Sequence, residues 1–118
     1  MRANWQGDSG FLIVRDGSIE FRSPPLQHFF DCPLQFAAYP DYTNATDSAE
    51  DAGLYQLPVQ QGDLIVAGTD GLWDNVHQEE IVQILSSHQN DIQRVSNCYS
   101  KSLACVPFND MPTRQGSL

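Results

Sequence analysis

The chain has 118 residues, 41% hydrophobic and 10% aromatic, which suits one small globular domain with a modest core. Its net charge of −9 and pI near 4.3 weigh against nucleic acid, whose phosphates call for clustered Lys and Arg, and against an anionic membrane surface. Cys32, Cys98 and Cys105 lack C-x-x-C spacing and favour free thiols in an intracellular, reducing compartment; no secretory signal and no apolar run of ~20 residues is visible.

In chain order, Asn4-Trp5-Gln6 leads as a candidate strand into the Gly-flanked turn Gly7-Asp8-Ser9-Gly10. Phe11 to Arg15 and Ser18 to Arg22 flank Asp16-Gly17, a pair that accepts the positive φ values of a two-residue hairpin turn. Ile19 and Phe21 alternate with Glu20 and Arg22, so the second arm is expected to wet one face. Ser23-Pro24-Pro25 breaks the sheet, Leu26 to Tyr39 shows no clear period, and Pro40 to Gly53 reads as a polar surface loop in which Asp47, Glu50 and Asp51 are solvated. Tyr55-Gln56-Leu57 is a short strand candidate, and Leu64 to Ala67 a buried strand after the turn Gln61-Gly62-Asp63. Ile81, Ile84, Leu85 and His88 then share one helical face, with Glu79 and Glu80 favouring the helix dipole in the first turn. A second helix is predicted from Asn90 or Asp91, with Ile92, Val95, Tyr99 and Leu103 on one stripe, ending at Pro107. Residues 109–118 are polar and divergent and read as a disordered tail.

The most informative stretch is Asp63 to Asn75, in which an apolar run ends in Gly68-Thr69-Asp70-Gly71-Leu72-Trp73-Asp74. The strand would fix Asp70 at its tip, and the turn would bring Asp74 back beside it. Two carboxylates held together repel unless a cation or proton lies between them, and oxygen ligands suit hard ions; aspartates at strand ends also serve as plain turn formers. Gly7-Asp8-Ser9-Gly10 is by itself a tight turn, and a serine-protease nucleophile is excluded by the short chain and the lack of an oriented His. His28, His77 and His88 are scattered and read as surface or packing residues. A haloacid-dehalogenase-type phosphatase would need its nucleophilic Asp where Gly68 stands.

Taken in order, Ala3-Asn4, Gly7-Asp8-Ser9-Gly10-Phe11, the Asp-Gly hairpin, Gly62-Asp63 and Thr69-Asp70-Gly71-Leu72-Trp73-Asp74-Asn75 resemble the metal-dependent type 2C protein phosphatases. Gly10 and the Ser-Pro after the hairpin look most like the organellar branch, found in mitochondria and plastids. The resemblance covers residues 3–85 and, more faintly, reaches Phe108, so residues 1–108 are expected to form part of a phosphatase domain. It implies an α+β fold, part of a four-layer αββα sandwich of antiparallel sheets, and a binuclear Mn²⁺ or Mg²⁺ centre that hydrolyses phosphoserine or phosphothreonine in a phosphoprotein substrate. By motif match, Asp70 corresponds to a ligand of that centre, and Asp74 and Asp8 to residues holding a third ion in members that have one. Trp73 is expected to pack near the site. Further family ligands lie upstream and near the domain end, where this chain has no match. The expectation is therefore a C-terminal-half fragment whose partner is the missing half of the phosphatase domain. The alternative is a non-catalytic remnant acting as a binding module. Trp5-Gln6 also stands where the family usually has one residue, which calls for a β-bulge or a distorted strand entry.

Overall fold

Four consecutive apolar residues, Phe11 to Val14, form the centre of the fold because both sides of their strand are covered. In a computed structural model, residues 1–36, 47–88 and 91 are described in full and residues 103–107 by their backbone. The elements are β1 (Arg2–Trp5), β2 (Gly10–Arg15), β3 (Ser18–Arg22), β4 (Gln27–Phe29), β5 (Cys32–Pro33), β6 (Gly53–Gln56), β7 (Leu64–Gly68), α1 (Asp70–Trp73), α2 (Gln78–Ser87) and β8 (Leu103–Pro107). A four-stranded antiparallel sheet runs in the order β3-β2-β7-β8, while β1 pairs with β6 and β4 with β5.

Strand alternation sorts the core into two layers. Leu12, Val14 and Val66 pack under Leu72, Ile81 and Leu85 of α1 and α2. Phe11, Ile13 and Ile65 point the other way, against Ala3, Trp5 and Tyr55 of the β1–β6 pair. Phe11 is the hub, with Trp5, Phe21 and Tyr55 rings at 5.7, 5.6 and 5.6 Å. The described residues thus stack as sheet, sheet and helices, an α+β arrangement with antiparallel sheets; no described helix is long and apolar enough to cross a membrane.

The hairpin forms as its turn residues dictate: Asp16 and Gly17 take φ of 50° and 75°. Glu20 is the extra residue of a bulge, since Ile13 pairs with Phe21 but Val14 with Ile19. The α2 face is narrower than the periodicity suggests, for Ile81 and Leu85 are buried while His88 is exposed, its Nδ1 2.9 Å from the Ile84 carbonyl.

One expectation is overturned. Leu103–Pro107 is a strand on the free edge of β7, paired from Gly68↔Leu103 to Leu64↔Pro107, and not the end of a helix. A short apolar run fits either state by pattern, and here the unpaired edge of a buried strand decides. The earlier part of that predicted helix, like the tail, lies outside the described residues. The loop read as irregular also holds a 3₁₀ turn, Ala49–Asp51, started by the Ser48 hydroxyl, which accepts from the Glu50 N–H at 3.2 Å.

Candidate functional site

Antiparallel register carries both aspartate motifs to one end of the sheet. Gly10 pairs with Gly68, so Asp8, two residues before β2, and Asp70, two residues after β7, leave the sheet on the same side. Both line one open cavity of about 400 Å³, together with Gln6, Gly7 and, from the β4–β5 arm, Pro33, Leu34 and Phe36.

Three local devices shape this end. Gly7 takes φ +85°, and a Cβ there would come within 3.1 Å of the Leu34 carbonyl, so glycine lets the turn lie against the arm. The Leu26 N–H bonds the Gly7 carbonyl at 2.9 Å and fixes that approach. Gly10 is required for a different reason: a Cβ would sit 2.9 Å from the Ser23 hydroxyl and 3.3 Å from the Trp73 indole nitrogen. Neither neighbour is free to withdraw. The buried Ser23 hydroxyl accepts from the Phe11 N–H at 2.8 Å, and the Trp73 indole donates to the Gly68 carbonyl at 2.7 Å. Trp73 thereby ties α1 to the end of β7, and the Arg22 guanidinium stacks 3.6 Å over its ring. Burial lowers the Arg22 pKa from the ordinary arginine value.

Asp70 opens the single turn of α1, and its carboxylate accepts from the Gly71 N–H at 2.8 Å. Asp74 closes that turn, its backbone N–H bonding the Asp70 carbonyl at 2.8 Å. The i, i+4 spacing places both on one side of the turn, but Asp74 does not line the cavity. Asp8 makes no hydrogen bond or ion pair among the described residues, and no Lys, Arg or His lines the cavity. Among the described residues, no three of His, Cys, Asp and Glu gather as a complete ligand set. The donors present are hard carboxylate oxygens in an open cavity. They fit a divalent ion such as Mg²⁺ or Mn²⁺ that keeps several waters, as part of its coordination shell.

The three histidines stand apart from the cavity wall: His28 pairs with Asp47 at 2.8 Å, His77 precedes α2, and His88 follows it. The extra residue in Trp5-Gln6 makes no bulge. The β1–β6 register is unbroken from Arg2↔Gln56 to Trp5↔Gly53, and Gln6 falls in the turn. The β4–β5 wall carried no periodic signal in the sequence.

The opposite end of the sheet holds a group the sequence reading left out. Arg15 Nε and Nη2 donate to the two oxygens of Asp63 at 2.8 and 2.9 Å, and the Gln60 N–H adds a bond at 2.8 Å. The guanidinium holds the Asp63 carboxyl below the usual carboxylate range, against the opposing effect of burial.

Comparison with known proteins agrees with this architecture. No family model matches the chain. It is 42% identical over 82 residues to "Probable protein phosphatase 2C 26" of Arabidopsis thaliana, covering 70% of this chain and 26% of that protein. It is 37% identical over 117 residues to "Protein phosphatase PTC7 homolog fig" of Drosophila willistoni, covering 90% of this chain and 37% of that one. The solved structure of the photosystem II phosphatase PBCP superposes with a TM-score of 0.66 at 32% identity, covering 72% of this chain and 32% of the other. The chain belongs to the type 2C protein phosphatases, and its matches to these relatives cover between 26% and 37% of their length.

Proposed function

We propose that this chain supplies part of the active site of a metal-dependent protein serine/threonine phosphatase, with residues 1–108 as its portion of the domain. The observation that carries this reading is the meeting of Asp8 and Asp70, 62 residues apart in sequence, on one cavity with no basic side chain among the described residues. Asp70 and Asp8 hold Mg²⁺ or Mn²⁺ through carboxylate oxygens, and Asp74 serves the same ion group from the far end of α1. Such ions, when bound, neutralise charge on phosphoryl oxygens and make a bound water acidic enough to ionise near neutral pH. Gly7 lets the turn that carries Asp8 lie against the β4–β5 arm, Gly10 leaves room for Trp73, and the Trp73 indole fixes the turn that presents Asp70. Pro33, Leu34 and Phe36 form a largely apolar wall along which a phosphorylated segment of a protein substrate lies. The complete domain forms the four-layer sandwich of the family. Similarity to a photosystem II phosphatase, beside the organellar resemblance of Gly10 and the Ser-Pro after the hairpin, supports placing the parent protein in an organelle.

One observation favours a second reading, a binding module without catalysis: among the described residues only Asp8 and Asp70 bring carboxylates to the cavity, Asp74 lying off its wall. A chimera separates the two. The part of this chain that aligns with the Arabidopsis relative replaces its 82-residue counterpart there, and turnover of a phosphoserine peptide is followed with Mn²⁺. The phosphatase reading expects turnover that Asp70→Asn abolishes. A folded chimera without turnover would leave the binding module. The 118-residue chain alone is expected to show no appreciable turnover of p-nitrophenyl phosphate, because its described cation donors are too few.

A further inference from the structure

Three of the four large apolar side chains that stand exposed among the described residues lie on or beside the β4–β5 arm: Phe29, Phe30 and Phe36, at 70%, 91% and 59% exposure. Phe29 and Phe30 form its tip, where Phe29 pairs with Cys32 and the turn closes through Asp31 at φ 60°. Rings held in water at a hairpin tip add nothing to either core layer, and exposed apolar groups of this kind mark contact surfaces. The same arm carries Pro33, Leu34 and Phe36 in the wall of the cavity of Asp8 and Asp70, so the tip continues that wall outward.

Charge narrows what the tip can meet. No Lys or Arg occurs from Ser23 to Gln93. Asp31 sits at the tip, and Asp47, which pairs with His28 and takes the Gln35 N–H at 2.8 Å, belongs to the loop bonded to the arm, as does Asp51. Aromatic rings among carboxylates favour apolar side chains flanked by Lys or Arg, whose cations also stack on rings. A second copy, with its own net charge of −9, is repelled.

We propose that Phe29 and Phe30 dock the phosphoprotein substrate, taking the large apolar and Lys or Arg side chains that neighbour its phosphorylated residue. The proposal rests on reading the cavity as a phosphatase site.

Fluorescence anisotropy on the full 118-residue chain with millimolar Mn²⁺ tests this, with short labelled peptides as probes. One peptide carries Arg and Leu on both sides of a phosphoserine, another has Glu in place of Arg, and a last one is the Arg peptide without phosphate. The chain should bind the Arg phosphopeptide saturably and the Glu one about tenfold more weakly or worse. Replacing both rings, Phe29→Ser with Phe30→Ser, should weaken the Arg phosphopeptide about tenfold or more, at an unchanged thermal midpoint because both rings are exposed. Leu54→Ser, at an exposed position on β6, should bind as the parent does. Asp31→Asn should narrow the preference for Arg over Glu. Parent-like binding by the double variant, equal binding of the Arg and Glu peptides, or no saturable binding by the parent would each overturn the proposal, while turnover by the chimera still decides the cavity. Equal binding with and without phosphate would assign the tip to a partner other than the substrate. A dimer that the double variant loses would assign it to a second copy, and a chimera that melts earlier with both rings replaced would assign it to the rest of the domain. Each of these three results also overturns the proposal.

Discussion

At one end of the four-stranded sheet Asp63 is 1% exposed and takes three hydrogen bonds, from Arg15 Nε, Arg15 Nη2 and the Gln60 backbone. At the other end Asp70 is exposed and takes one described side-chain bond, from the next residue in its own turn, while Asp8 beside it takes none. Both ends are built from the same two strands, β2 and β7, and both carry carboxylates. The closed end satisfies its carboxylate with the protein's own cation. The open end leaves its carboxylates without a basic partner among the described residues. Where a fold provides the counter-charge itself the group is structural; where it withholds the counter-charge on aligned strand ends, binding is the physical reading.

Removing the closed-end carboxylate should have the largest effect on stability. Asp63→Asn removes the charge that Arg15 pairs with inside the sheet, leaving Arg15 only its 3.0 Å bridge to Glu20, and should be read as a lowered urea midpoint with unchanged slope. Gly10→Ala comes next. Its new methyl group meets Ser23 and Trp73, both held by bonds of 2.8 and 2.7 Å, and should cost roughly 1–2 kcal/mol by overpacking. A neutral result there would mean that the open end is slack and does not hold α1 in place.

Acidification sharpens the contrast further. The folded Asp63 carboxyl is held low, so its stabilisation is whole above the unfolded value near ~3.9 and is lost as pH falls through the lower folded value. Urea midpoints should therefore fall below about pH 4, and less steeply in Asp63→Asn. Asp51, held low chiefly by Ser48, and Glu79, held low by its own backbone N–H, maintain the remaining slope. The smallest stability effect belongs to the open end: Asp8→Asn and Asp70→Asn should each shift stability by no more than ~0.5 kcal/mol, or raise it slightly by relieving repulsion.

Much of this contrast is written locally in the chain. Asp16-Gly17 announces its positive-φ turn, Leu64 to Ala67 reads as a buried strand, and Glu79-Glu80 followed by Ile81, Ile84 and Leu85 marks α2. The open end was legible because its motifs sit directly at strand ends. The closed end was not, since Arg15 and Asp63 lie 48 residues apart and their neighbouring turns say nothing of a pairing between them. A register argument would have found it: Val14 pairs with Leu64, so one step further brings Arg15 to Asp63. β8 was misread because Leu103-Ala104-Cys105-Val106 carries no helix-specific spacing, and only the unpaired edge of β7 decides its state. The β4–β5 arm, with three-residue and two-residue strands, is too short for any periodicity to show.

The cation site proposed for the open end is the reading on which this contrast rests. Thermal unfolding of the chain with and without millimolar Mn²⁺ tests it most directly, since a ligand bound only by the folded state raises the midpoint. The account predicts a rise for the parent and for Asp63→Asn, and none for Asp8→Asn or Asp70→Asn. A rise that survives both open-end substitutions, or no rise in the parent at all, would contradict it.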